Sequence, residues 1–163
     1  MKKKSETGQF PTIPSLIGKD VYLRPAEPGD SELTYRWFLT SDPQSQTCKQ
    51  AILTTPANSA ENARRREPTI ERGEFIIVRI EDDQPVGKLS FFNLNMLNRS
   101  AELGYTVDPD EQKKGYGGEG LRLLIKYLFL QLNLNKVYAQ TGSFNKASIK
   151  LLESLDFKLD GTL

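Results

Sequence analysis

Residues Gln112 to Gly120 read Gln-Lys-Lys-Gly-Tyr-Gly-Gly-Glu-Gly, and they stand between a strand-like run ending near Val107 and a stretch in which Leu121, Leu124, Ile125 and Leu128 recur at helical spacing. The chain therefore passes from strand to amphipathic helix through a turn made largely of glycine and lysine. Such a junction suits an anion. Glycines let the backbone approach a ligand closely, while the unpaired N–H groups and positive dipole end of the first helical turn face it. Lys113 and Lys114 add charge where a diphosphate would lie. The same glycines also serve a tight turn alone, so the flanking sequence has to separate the two readings.

Neither standard nucleotide fingerprint fits. A P-loop needs Gly-Lys-Ser or Gly-Lys-Thr after its second glycine, whereas Gly115 is followed by Tyr-Gly-Gly-Glu. Gly115, Gly117 and Gly120 satisfy G-x-G-x-x-G, but that pattern opens a first βαβ unit with an acidic residue about twenty residues on. Here Leu132 occupies that place, within Leu-Asn-Leu-Asn.

The rest of the chain reads as mixed α and β. Residues 1–17, with a lysine run and Pro11 and Pro14, read as a flexible or extended arm ahead of one domain over 18–163. Val21 to Pro25 form a short strand, and Pro28-Gly29-Asp30 a turn, with Asp30 capping a helix that places Leu33 and Trp37 on one face and stops at Asp42-Pro43. Ser59 to Glu67 reads as a second helix, broken before Pro68. Phe75 to Ile80 and Val86 to Leu94 flank Asp82-Asp83-Gln84-Pro85 as an antiparallel hairpin, and Asn98-Arg99 turns into a strand over Ala101 to Val107. Beyond the glycine-rich turn and its helix come a strand over Lys136 to Gln140 and a last helix over Asn145 to Leu155.

A length of 163 residues suits one domain with a real core. The balance of 22 basic and 21 acidic side chains removes any general argument for nucleic acid or an anionic membrane. The Arg64-Arg65-Arg66 run, with Glu61, Glu67 and Glu71 around it, reads as a solvated helix face. No apolar run approaches a membrane span, and Met1-Lys2-Lys3-Lys4 is followed by polar residues, so the expected location is cytoplasmic. With one cysteine, Cys48, and no histidine, neither an internal disulfide nor a His-based triad can form, and no metal is expected.

Gln112, Gly115, Gly117 and Gly118 fill a motif of Gln or Arg, two residues, Gly, any residue, then Gly or Ala. With it the chain resembles the acetyl-CoA site of the GNAT superfamily of N-acetyltransferases, in particular its ribosomal-protein-alanine acetyltransferase-like branch. The resemblance extends to Ala101-Glu102-Leu103-Gly104-Tyr105 before the loop, to Leu132 through Tyr138 after the helix, and to Asn145-Lys146-Ala147-Ser148-Ile149 at the next helix start. It implies an α/β (α+β) domain with a mostly antiparallel central sheet flanked by helices. It also implies transfer of acetyl from acetyl-CoA to a primary amine by direct attack, with a small molecule or a protein N-terminus as acceptor and Cys48 not used as an acyl carrier. Backbone N–H groups of Gly115, Tyr116, Gly117 and Gly118 would hold the diphosphate, assisted by Gln112, Lys113 and Lys114. Val107 would offer strand backbone to the pantetheine arm, and Asn145 would contact the cofactor from the last helix.

A protonated amine cannot attack a thioester, so the site must accept its proton, and without histidine a carboxylate is the natural candidate. Glu102 lies on the strand before the loop. From spacing alone it is equally a surface glutamate on an exposed face, and the resemblance implies the base. The departing thiolate also calls for a proton. Many family members supply it from a tyrosine seven residues after the asparagine, where this chain has Leu152, and the resemblance then points to Ser148. Ser148 reads equally as a first-turn hydroxyl satisfying backbone. Asp156 stands where the family's helix usually ends in glycine. The family generally continues past the segment matching Phe157 to Leu163 into two final strands. The expectation is a domain that lacks them, with a strand out of Phe157 whose edge is left for a second protomer, as in a two-fold dimer. The reading from another class is a catalytically silent acyl-CoA-binding or interaction module.

Overall fold

The computed structural model describes residues 13–41, 54–65 and 69–162. Five strands, β1 (Val21–Pro25), β2 (Gly73–Arg79), β3 (Pro85–Asn95), β4 (Ser100–Val107) and β5 (Lys136–Tyr138), form one sheet in the order β1-β2-β3-β4-β5. The first three pairings are antiparallel and β4–β5 is parallel. The helices are α1 (Ser31–Thr40), α2 (Pro56–Arg64), α3 (Tyr116–Leu130) and α4 (Lys146–Ser154). A mostly antiparallel mixed sheet with flanking helices is the architecture expected.

Side-chain alternation along the strands sorts the two faces. Val21, Leu23, Phe75, Ile77, Leu89, Phe91, Ala101 and Leu103 share one core with Leu121, Leu124 and Leu128 of α3. Those three leucines are fully buried, each contributing about 2 kcal/mol of transfer free energy. The helical spacing therefore reads as core. The opposite face carries Tyr22, Ile76 and Val78. On that side α1 contacts α2 and β4, and Trp37 is buried.

Four expectations are corrected. The arm does not extend to residue 17. Pro14–Leu16 form a 3-10 turn, Leu16 enters the core and Ile17 bridges to Tyr22, because an apolar Leu16 fits beside α3. Helix α2 starts at Pro56 rather than Ser59. Proline is tolerated at the first helical position, where its missing N–H has no acceptor anyway, and the Thr55 hydroxyl caps the Asn58 N–H at 3.1 Å. Asp30 is the residue before α1, yet its carboxylate makes no cap. It accepts instead from the Glu27 N–H and from Arg24. Among the described residues no strand follows Phe157. Phe157 packs on the core, and residues 157–162 run without regular structure, with Lys136 Nζ held to Asp160 Oδ2 at 2.6 Å. Asp42-Pro43, Cys48, Glu67 and Pro68 lie outside the described residues.

Candidate active site

Strands β4 and β5 pair only at Ser100–Lys136, Ala101–Val137 and Glu102–Tyr138. β4 runs on to Val107, bonded to β3, while β5 ends. The edge of β4 beyond Glu102 thus has no strand partner on the β5 side among the described residues, at the carboxyl ends of two parallel strands, where open sheets with this connection take ligands.

Helix α3 starts beside the same strand edge, Gly117 lying against Val107. Its N-cap is Gly115, at φ 89, with no side-chain capping hydrogen bond, so the first-turn N–H groups are left for another acceptor. Lys113 is also left-handed, at φ 64, a costly conformation for a residue with a Cβ. A Cβ on Gly117 would meet Val107 Cγ2 at 2.9 Å, one on Gly118 Leu151 Cδ1 at 3.3 Å, and one on Gly120 Ile77 Cδ1 at 3.0 Å. These three glycines therefore press α3 against the sheet and α4. Gly115, with open space around its missing Cβ, answers to backbone conformation alone. The Gln112 amide Nε2 stands 3.5 Å from the Val107 carbonyl, at the limit of a hydrogen bond.

Charge at the mouth is largely paired. Glu111 Oε2 accepts from Lys114 Nζ at 2.9 Å and Arg79 Nη1 at 2.8 Å, and the Arg79 guanidinium also grips Asp82 and lies over the Tyr116 ring. Lys114 first, then Arg79, hold the Glu111 carboxyl below its ordinary range against partial desolvation. Lys113 makes no such pair among the described residues. On the inner side of the turn, Glu119 Oε1 accepts the N–H groups of Lys19 and Asp20, which tethers the start of β1 to the first turn of α3. Arg79, Glu111 and Glu119 were not picked out from the sequence, since nothing in local spacing links residues so far apart in the chain.

Glu102 sits where β4 and β5 part, opposite Phe92 on one side and Tyr138 on the other. It is 9 % exposed, so it is not a residue of an exposed face. The Asn93 amide Nδ2 donates to its Oε2 at 2.9 Å.

Alternation puts Tyr105 on the α3 face, away from Glu102. Its hydroxyl contacts Ser148 Oγ in the first turn of α4, which brings that helix to the free edge of β4. Burial, only partly offset by the Ser148 contact, raises the Tyr105 pKa, so the phenol stays protonated at neutral pH. Asn145 is the N-cap of α4, its Oδ1 accepting the Ser148 N–H at 3.1 Å. Leu152 is buried. Val107, Gln112, Gly117 and the start of α4 with Asn145 and Ser148 therefore lie near the free edge of β4, with Glu102 on the other face of that strand.

A pocket of about 90 Å³ on the α1–α2 side is lined by Glu27, Asp30, Glu74 and Lys88 among others. Asp30 is paired with Arg24 and Glu74 with Lys88. Among the described residues, no group of three or more His, Cys, Asp or Glu could hold a metal ion.

Residues 20–158 match the profile of the family described as Acetyltransferase (GNAT) domain. The chain is 37% identical over 93 residues to the uncharacterized N-acetyltransferase p20 of Bacillus licheniformis, covering 57% of this chain and 52% of that protein. It is 30% identical over 86 residues to the spermidine N(1)-acetyltransferase of Vibrio cholerae, covering 52% of this chain and 50% of that one. The chain thus spans about half the length of these curated relatives. Its fold superposes on a dodecameric spermidine N-acetyltransferase from Vibrio cholerae with a TM-score of 0.76 at 20% identity, over 90% of this chain and 84% of that one.

Proposed function

The chain belongs to the GNAT acetyltransferase family, and from that premise we propose that it moves acetyl from acetyl-CoA to a primary amine by direct attack at the free edge of β4. The observation that carries this reading is the end of β4–β5 pairing at Glu102, which leaves the rest of β4 with a free edge beside a helix N-terminus that bears no side-chain cap. The backbone N–H groups from Gly115 to Gly118 take the diphosphate, with Lys113, Gln112 and, once freed from Glu111, Lys114 adding contacts. The exposed edge of β4 up to Val107 takes the pantetheine amides, and Asn145 meets the cofactor at the start of α4.

In the transfer, Glu102 accepts a proton from the ammonium, the freed nitrogen attacks the thioester carbonyl carbon, and the tetrahedral intermediate collapses with cleavage of the C–S bond. As the intermediate collapses the nitrogen sheds its second proton, and the thiolate is protonated through the Ser148 hydroxyl, which passes one proton to sulfur and takes that one back, beside the protonated Tyr105 hydroxyl. This arrangement fills the role that the Leu152 position leaves vacant. The N-acetyltransferase names of the relatives weigh against a silent acyl-CoA-binding module. Acceptors within this reading are small-molecule amines or a protein N-terminus, and the relatives that act on spermidine direct polyamines first into an acceptor panel. The place of action is the cytoplasm, a compartment that suits a chain with one cysteine. A two-fold dimer is proposed through the outer edge of β5, which is the last strand of the sheet among the described residues.

The test is Glu102→Gln. The account expects kcat at neutral pH to drop by about 10²-fold or more, with acetyl-CoA affinity retained. Full activity in that variant removes Glu102 as base.

A further inference from the structure

We propose that Asn93 is a positioning residue for the proton transfer assigned to Glu102, an inference that rests on that assignment. Phe91 belongs to the α3 face of β3, and Phe92 pairs with Glu102. Regular alternation would therefore turn Asn93 back to the α3 face, away from the carboxylate. Instead the register breaks between Phe92 and Asn95, Asn93 adopts φ 52, and its Nδ2 reaches Glu102 Oε2 at 2.9 Å. A left-handed residue with a Cβ inside a bulge is costly, and such devices re-aim side chains next to sites of chemistry.

The re-aimed amide has a definite consequence. Glu102 is nearly buried, its Oε2 is occupied by Asn93, and its Oε1 has no partner among the described residues. A carboxylate tethered by one oxygen presents the other in a fixed direction, which a base must do to reach the amine proton within hydrogen-bond distance. Asparagine suits the task because it donates without adding charge. A lysine or arginine at this position would compete with the incoming ammonium for the carboxylate, and an aspartate would repel it. A purely structural amide would satisfy a buried oxygen equally well, so the two roles have to be separated by kinetics.

The experiment compares kcat and KM of the wild type with Asn93→Gly, Asn93→Asp, Glu102→Gln and the Asn93→Gly/Glu102→Gln double variant. Glycine accepts the positive φ, and aspartate keeps the shape but loses the donor, so either reports on the amide if the other melts below the assay temperature. Expected are a fall in kcat of about 10-fold or more for each single Asn93 variant with the KM for acetyl-CoA unchanged, and no further loss when Asn93→Gly is added to Glu102→Gln. Wild-type kcat in the Asn93 variants beside a crippled Glu102→Gln overturns this inference alone, as does a fully additive loss in the double variant. A fully active Glu102→Gln overturns the base assignment, and this inference with it.

Discussion

A Cβ on Gly117 would stand 2.9 Å from Val107 Cγ2, so α3 begins in contact with the last residue of β4. This contact sets the bare N–H groups of the helix beside the unpaired strand edge, and it makes Gly117 a packing residue as well as a place of close approach. Gly117→Ala is expected to destabilise the fold by about 1–2 kcal/mol through overpacking. Adding Val107→Ala should recover much of that loss, because the two sites share one contact. Thermal melts of the four chains check this, and strictly additive losses would count against it.

The central helix was legible because Leu121, Leu124 and Leu128 repeat at the period of an α-helix and burial follows period. The hairpin was equally plain, and Asp156, standing where the family's helix usually ends in glycine, takes the left-handed conformation that glycine favours, at φ 64. Pro56 hid the start of α2, since a proline reads as a breaker until a capping Thr55 identifies it as the first helical residue. The residues of the glycine-rich turn were found by local pattern, which suits a site built from successive backbone N–H groups. Asn93 was not found, because a bulge in β3 has no signature in the alternation of its residues. The links from Arg79 to Glu111 and from Glu119 to Lys19 are long-range and exist only once the sheet has formed.

Glu111 competes with the cofactor for Lys114. Because Lys114 and Arg79 hold its carboxyl below the ordinary range, Glu111 remains ionised at neutral pH and occupies both cations. Glu111→Gln should tighten acetyl-CoA binding at low salt by about threefold, the size expected of one charge acting through solvent, and the gain should shrink as salt is added. Calorimetric titration at two ionic strengths decides it, and weaker binding in the variant would show that Glu111 positions Lys114 instead.

The Arg24–Asp30 pair should govern acid stability. Arg24 is 5% exposed, and its Nη1 and Nη2 donate to the two Asp30 oxygens at 2.8 and 2.7 Å. Burial opposes ionisation of Asp30, but the Arg24 guanidinium and the Glu27 N–H outweigh it and hold the pKa below 3.8. A depressed pKa contributes stability that is present above the ordinary value and lost as pH falls through the lowered one. Asp30→Asn is therefore expected to cost about 3 kcal/mol at neutral pH, and its deficit should close as pH drops below 3.8. Urea melts across that range check the sign, and a deficit that does not change with pH would contradict it.

The outer edge of β5 should make the chain self-associate. Strand Lys136–Tyr138 ends the sheet among the described residues, and an uncovered edge offers a row of unpaired backbone groups. Light scattering is expected to give a mass that rises with concentration toward a two-fold dimer. Val137→Pro should weaken it, because the Lys136 N–H bonds the Arg99 carbonyl beside β4 and alternation turns that of Val137 to the outer edge. A well-folded chain that stays monomeric at high concentration would count against the proposed interface.

Acetyl-CoA bound at the free edge of β4 should be consumed only when an amine is present. The direct measurement is thiol release from acetyl-CoA, followed together with the masses of the amine and of the protein, with and without a panel that includes spermidine. The account predicts no thiol release and no acetyl adduct on the protein with acetyl-CoA alone, and one thiol released for each amine acetylated once an acceptor is added. Tight acetyl-CoA binding with no amine-dependent release across the panel, or an acetylated protein formed before the amine arrives, would contradict it.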